Sequence, residues 1–199
     1  MRRLGEKRTA YARLWLLAFC FLGGAIVGQV LLSIAPDSLG EELRRYLSAY
    51  YRSEPVVTAA EIVKTALAYF RYPALALLLG CSASASGLLY AVCVWMACSL
   101  SFSIGCFGAA FGGKGIVLAA AALGIRCLVT LPCFFVASLS AMEYRTLSHG
   151  KGPRRAAGAA DKARRGRLEL CVMALLTGTG AELWCVPRLL RLTLAWILA

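Results

Sequence analysis

Apolar residues in this chain come in runs too long for strands or ordinary core helices, and the polar residues gather between them. The first run, Leu14 to about Ala35, crosses a hydrocarbon core of about 30 Å at a helical rise of about 1.5 Å per residue. A stretch of about forty apolar residues, from Pro73 to Gly113, holds two further spans. Its weakest part is Ser82-Ala83-Ser84-Ala85-Ser86-Gly87, which divides it into 73–87 and 88–111. The shorter piece is either a full crossing or a broken helix covered by protein or water. A fourth span runs over 116–142, interrupted by Pro132, and a fifth over 168–187, ending at Pro187. The pattern predicts an all-α polytopic membrane helix bundle of about five transmembrane helices.

Between the first and second spans, residues 36–72 are polar and charge-balanced. Ser38-x-x-Glu41 and Thr58-x-x-Glu61 are capping boxes that predict two helix starts. After the first come Leu39, Leu43, Tyr46, Leu47 and Tyr50 on one face. After the second come Ile62, Val63, Ala66, Leu67 and Phe70. These short amphipathic helices are too charged to span, so they are expected on the outer membrane surface or packed on the bundle. Tyr46, Leu47 and Tyr50 form the candidate partner surface.

Charge sets the orientation. Arg2, Arg3, Lys7, Arg8 and Arg13 make residues 1–13 a basic cytoplasmic N-terminus. The apolar run that follows is long for a cleaved signal peptide and lacks a small-x-small cleavage site, so it is read as an uncleaved span. Residues 143–167 carry eight basic side chains against Glu143 and Asp161, and are expected to be a flexible basic cytoplasmic loop. Five crossings then leave the C-terminus outside.

The chain is 60% hydrophobic with a formal net charge of +12. So much apolar surface requires the lipid bilayer as a partner. The basic residues flank spans, and only Tyr144 interrupts the basic loop with an aromatic ring, so nucleic acid is not expected as a partner. All nine cysteines lie in apolar runs without a Cys-x-x-Cys, as small apolar residues do. His149 is the single histidine and has no ligand-spaced companion, so neither a metal nor a cofactor is expected. No nucleophile–base constellation or phosphate loop appears, and no catalytic residue is assigned.

Two groups of residues carry the packing. Gly24 and Gly28 form a Gly-x-x-x-Gly pair, and Gly105, Gly108 and Gly112 form a small-residue stripe with Ser101. Pro132 and Pro187 are expected helix kinks. Arg126 and Glu182 are the intramembrane charges, each too costly to leave facing lipid. Counting along the spans puts Arg126 about 15 Å and Glu182 about 9 Å below the outer surface. The difference of about 6 Å is within reach of an extended arginine. Two arrangements remain open: an ion pair, or a protonated Glu182 bonded to backbone or hydroxyls while Arg126 snorkels.

In order along the chain, these segments resemble the stage II sporulation protein M family. The resemblance is carried by Leu22-Gly23-Gly24-Ala25-Ile26-Val27-Gly28, the polar stretch Ser38 to Leu47, Gly113-Lys114-Gly115, Leu131-Pro132-Cys133-Phe134, and Glu182 with Pro187. It departs from the family's uncharged Pro-Gln-Asn-like turn at Gly124-Ile125-Arg126-Cys127. The resemblance implies a non-enzymatic membrane scaffold at the sporulation septum, in the mother-cell membrane. Its implied partners are a cell-wall amidase/endopeptidase and a lytic transglycosylase, recruited for peptidoglycan remodelling during engulfment. The alternative is a small membrane transporter or permease subunit with an intramembrane Arg/Glu site.

Overall fold

The computed structural model describes the backbone of residues 2–36, 38–52, 58–81, 86–149 and 154–198, and the side chains within 11–36, 38–50, 58–79, 87–142 and 165–196. Among the described residues there are six helices and no strand: α1 (Arg2–Ile34), α2 (Ser38–Arg52), α3 (Ala59–Cys81), α4 (Ser86–Phe111), α5 (Gly113–His149) and α6 (Arg154–Leu198). All but α2 are long and apolar enough to cross a membrane. Trp15, Phe19, Ile26, Leu128, Leu170 and Trp184 stand exposed on them, as side chains facing lipid do. The fold is an all-α, multi-pass membrane bundle.

The helix α1 lies along α4, and glycine explains why they approach so closely. A Cβ on Gly28 would sit 2.5 Å from the Cys98 carbonyl oxygen, and one on Gly24 would overlap the Val94 backbone. A Cβ on Gly105 would strike the end of the Leu32 side chain. The contact also has a polar tie: Gln29 Nε2 donates to Ser101 Oγ at 2.8 Å and to the Ser101 carbonyl at 3.0 Å. The remaining stripe positions work differently. Gly112 has φ +60° and forms the α4–α5 turn, a conformation suited to glycine, rather than a helix-packing surface. A Cβ on Gly108 would meet nothing within 4 Å. The close contact there comes from Gly115, which abuts the Phe107 carbonyl across the turn.

Three expected boundaries are corrected. The expected surface helix before Pro73 and the expected span 73–87 form one helix, α3, which runs through Pro73. A span over 73–87 would rise only about 22 Å, whereas Ala59–Leu79 rises about 31 Å. Burial of Tyr69, Pro73 and Ala76 against the bundle offsets the roughly 3 kcal/mol cost of an interior proline. Positions 82–85 of the expected turn lie outside the described residues. The basic segment 143–167 is not a loop over most of its length, since α5 continues to His149 and α6 begins at Arg154. Ala156, Ala157, Ala159, Ala160 and Ala163, interleaved with Arg and Lys, are strong helix formers. The fifth span is longer than 168–187, because α6 runs on through Pro187. The fourth span likewise runs as one helix, α5, through Pro132.

Apolar clusters hold the two ends of the bundle. Leu17, Ala76, Leu89, Cys93, Met96 and Phe134 pack at one end. At the other, Leu47 of α2 packs with Leu118, Leu190 and Leu194. Thus α2 lies across the end of the bundle formed by the α4–α5 turn and the last turns of α6. Arg44 of α2 stacks over Phe111 at 5.5 Å, which fixes it to the same turn.

Candidate functional site

The buried charges meet between α3, α5 and α6. Arg126 Nε donates to Glu182 Oε2 at 3.2 Å, and its Nη2 donates to Oε1, so the guanidinium grips both carboxylate oxygens. The side chains are 31% and 11% exposed, so both groups are largely removed from solvent. A bidentate fork suits this place, because arginine stays charged and its planar donors match a carboxylate. The pair fastens the middle of α5 to the middle of α6.

Tyr69 completes the cluster from α3. Its ring lies 5.8 Å from the Arg126 guanidinium carbon and is fully buried. Its hydroxyl neighbours Glu182 without a hydrogen bond of good geometry. Gly178, one turn before Glu182, makes room for that ring: a Cβ there would lie 2.9 Å from Tyr69 Cε1. The sequence reading assigned Tyr69 and Gly178 no role. Tyr69 falls seven residues after Ile62 on the apolar side of the amphipathic pattern, where an aromatic reads as ordinary core.

The proposed partner surface divides. Tyr46 is 69% exposed, whereas Leu47 is 5% exposed and seated in the apolar cluster at the end of α6. Tyr50 packs against the same cluster, and burial pushes its phenol above the ordinary tyrosine range while Arg191 pulls it down. Leu47 and Tyr50 therefore hold α2 to the bundle and do not face outward. The reason is steric: residues three and four apart share a helix stripe, and on α2 that stripe is turned toward the bundle, where Phe107 and Phe111 of α4, Leu118 of α5 and Leu190 and Leu194 of α6 gather. Glu41, Glu42, Arg44 and Arg45 stand exposed beside Tyr46.

A cavity of about 250 Å³ opens beside the ion pair, between α3, α4 and α5. Arg71, Tyr72, Ser99, Ser103, Arg126 and Thr130 supply its polar lining. Arg71 stacks over the Tyr72 ring at 4.5 Å and donates to Tyr72 Oη at 2.5 Å. Among the described residues no three His, Cys, Asp or Glu side chains gather as a metal set would. His149 falls outside the described side chains.

No family model matches the chain, and no curated protein and no solved structure matches it.

Proposed function

We propose that this protein is a non-enzymatic membrane scaffold that anchors peptidoglycan-remodelling enzymes on the outer face of the cell membrane. The supporting observation is α2: it is fastened to the bundle end by Leu43, Leu47 and Tyr50 and keeps a charged face, with Tyr46, free for another protein. An apolar bundle under a short rigid polar platform suits docking better than chemistry. The basic residues of 1–13 and 143–167 orient the bundle with that platform outside. The resemblance to stage II sporulation protein M supplies the partners, an amidase/endopeptidase and a lytic transglycosylase, and the setting, the mother-cell membrane during engulfment. The test is co-purification from membranes that contain both enzymes. Both should be retained by the wild type and reduced several-fold by Tyr46→Ser with Glu42→Lys. Retention of neither enzyme by the wild-type protein would overturn the reading.

The cavity beside the ion pair favours a second reading, a small transporter or permease subunit, because polar cavities at membrane depth line substrate paths. Solute flux in reconstituted vesicles, unaffected by the α2 variants, would favour it over the scaffold.

A further inference from the structure

Two arginines line one cavity between α3, α4 and α5, Arg126 half-buried and Arg71 exposed, and only one of them has a carboxylate. Arg126 is matched by Glu182. Arg71 is held by the Tyr72 ring and hydroxyl, and among the described residues no acidic side chain forms a salt bridge with it. At the helical rise, Arg71 lies about 18 Å along α3 from Ala59 and about 12 Å from Leu79, well inside the span. A cation there costs about 2.5–3.5 kcal/mol on insertion scales, so a counter-charge is worth having.

The lining of the cavity specifies the sign of that counter-charge. It contains no carboxylate. The Ser99 and Ser103 hydroxyls donate to the carbonyls of Trp95 and Ser99, so each is spent on its own helix. The hydroxyl of Thr130 is not spent. Thr130 is 6% exposed, lines the cavity, and its Oγ1 has no hydrogen-bond partner. A buried hydroxyl left unpaired costs roughly 1–3 kcal/mol, and a ligand that accepts from it removes that cost. Tyr72 Oη accepts from Arg71 and keeps its own proton to give. The result is a donor-rich, net positive chamber. Its volume of about 250 Å³ exceeds what a water needs and falls just below the roughly 300–1,000 Å³ of sites for drug-sized ligands.

We propose that this cavity binds a phosphate oxyanion, gripped by the Arg71 guanidinium and hydrogen-bonded by Thr130 and Tyr72. The planar fork of arginine pairs with two phosphate oxygens, and the hydroxyls satisfy others. A free inorganic phosphate and the phosphate of an anionic lipid headgroup present the same chemistry. The site is separate from the α2 platform, so it stands whichever protein partner that platform takes.

The experiment uses the full-length protein. Radiolabelled inorganic phosphate is equilibrated with protein in a neutral detergent, at constant ionic strength set with chloride. In parallel, thermal unfolding is followed in nanodiscs of phosphatidylglycerol or of phosphatidylcholine. Phosphate binding by the wild type that is lost in Arg71→Gln assigns the site to a free anion. A rise in Tm of about 5 °C or more at saturation, in phosphatidylglycerol alone and lost in the variant, assigns it to a lipid headgroup. Arg71→Lys keeps the charge but loses the fork and should weaken binding about tenfold, as should Thr130→Val. Both remain informative if Arg71→Gln fails to fold. Lys114→Gln, a cation stacked on Trp196 at the far end of the bundle, should leave binding within about twofold of the wild type. Absence of both phosphate binding and a lipid effect overturns the proposal, as does either effect persisting undiminished in the Arg71 and Thr130 variants.

Discussion

Breaking the ion pair from its two sides should give unequal losses. Glu182→Gln leaves the Arg126 guanidinium charged at mid-span, because arginine does not give up its proton. An arginine at a helix centre costs about 2.5–3.5 kcal/mol on insertion scales, and 31% exposure of Arg126 lets it recover part of that by snorkelling. A loss of about 2–3 kcal/mol is expected. Arg126→Gln leaves a carboxyl that can take up a proton and become neutral, so its loss should be smaller, about 1–2 kcal/mol. The double variant holds two neutral amides of matching size and should lose no more than Arg126→Gln alone. The coupling energy is then at least about 2–3 kcal/mol, above the roughly 0.6 kcal/mol average of polar pairs in membrane bundles. For a chain of this length each kcal/mol moves the midpoint by about 2–4 °C, so Glu182→Gln should lower Tm by about 4–12 °C in detergent. Strictly additive losses, or equal losses from the two single changes, would refute the reasoning.

Other consequences follow from the same geometry. Reporter fusions after residue 50 should read outside and fusions near residue 155 inside; an inside signal at residue 50 would overturn the orientation. Gly28→Leu should separate α1 from α4, because even a Cβ there lies 2.5 Å from the Cys98 carbonyl oxygen, and a loss of detergent-resistant fold by limited proteolysis checks this. Leu47→Ala should cost about 2–3 kcal/mol in thermal unfolding, whereas Tyr46→Ser should leave Tm unchanged and act on partner recruitment alone. The reverse ranking of those two variants would mean that α2 is docked by its other face.

Much of this bundle was legible because membrane length is written in runs of apolar residues. The spans from Leu14, Leu88 and Ile116 begin near the helical stretches Tyr11–Ile34, Gly87–Phe111 and Gly113–Met142. Their register along the bilayer also put Arg126 and Glu182 at similar depths, and the side chains close the remaining gap. What stayed hidden depends on which way a helix turns. Tyr46, Leu47 and Tyr50 share a stripe by spacing, yet spacing does not say that the stripe faces α6 rather than water. The unity of α3 was hidden by Pro73 and by Glu61, Lys64 and Arg71, all of which argue locally against a span. Tertiary packing of Tyr69 and Ala76 overrides them. The packing roles of Gly115 and Gly178 have no signal in the sequence pattern, and only the approach of Phe107 and Tyr69 gives them meaning.

The bundle is held in two ways, and α2 depends on both. Backbone contact at Gly24 and Gly28, with Gln29 bonded to Ser101, joins α1 to α4. The charged pair and the Tyr69 ring join α5, α6 and α3. The platform helix bridges these halves, because Gly40 lies against Ala109 and Ala110 of α4 while Leu47 lies against Leu190 and Leu194 of α6. Leu190 is about 12 Å along the helix from Glu182, a little over two turns. A carboxylate buried inside the bundle thereby bears on the position of the α2 surface. If α2 is the docking platform, Glu182→Gln should weaken enzyme recruitment without touching the contact face, and Arg126→Gln added to it should restore part of the loss. Recruitment that falls with Tyr46→Ser but is indifferent to the ion pair would mean that α2 keeps its place through α4 alone.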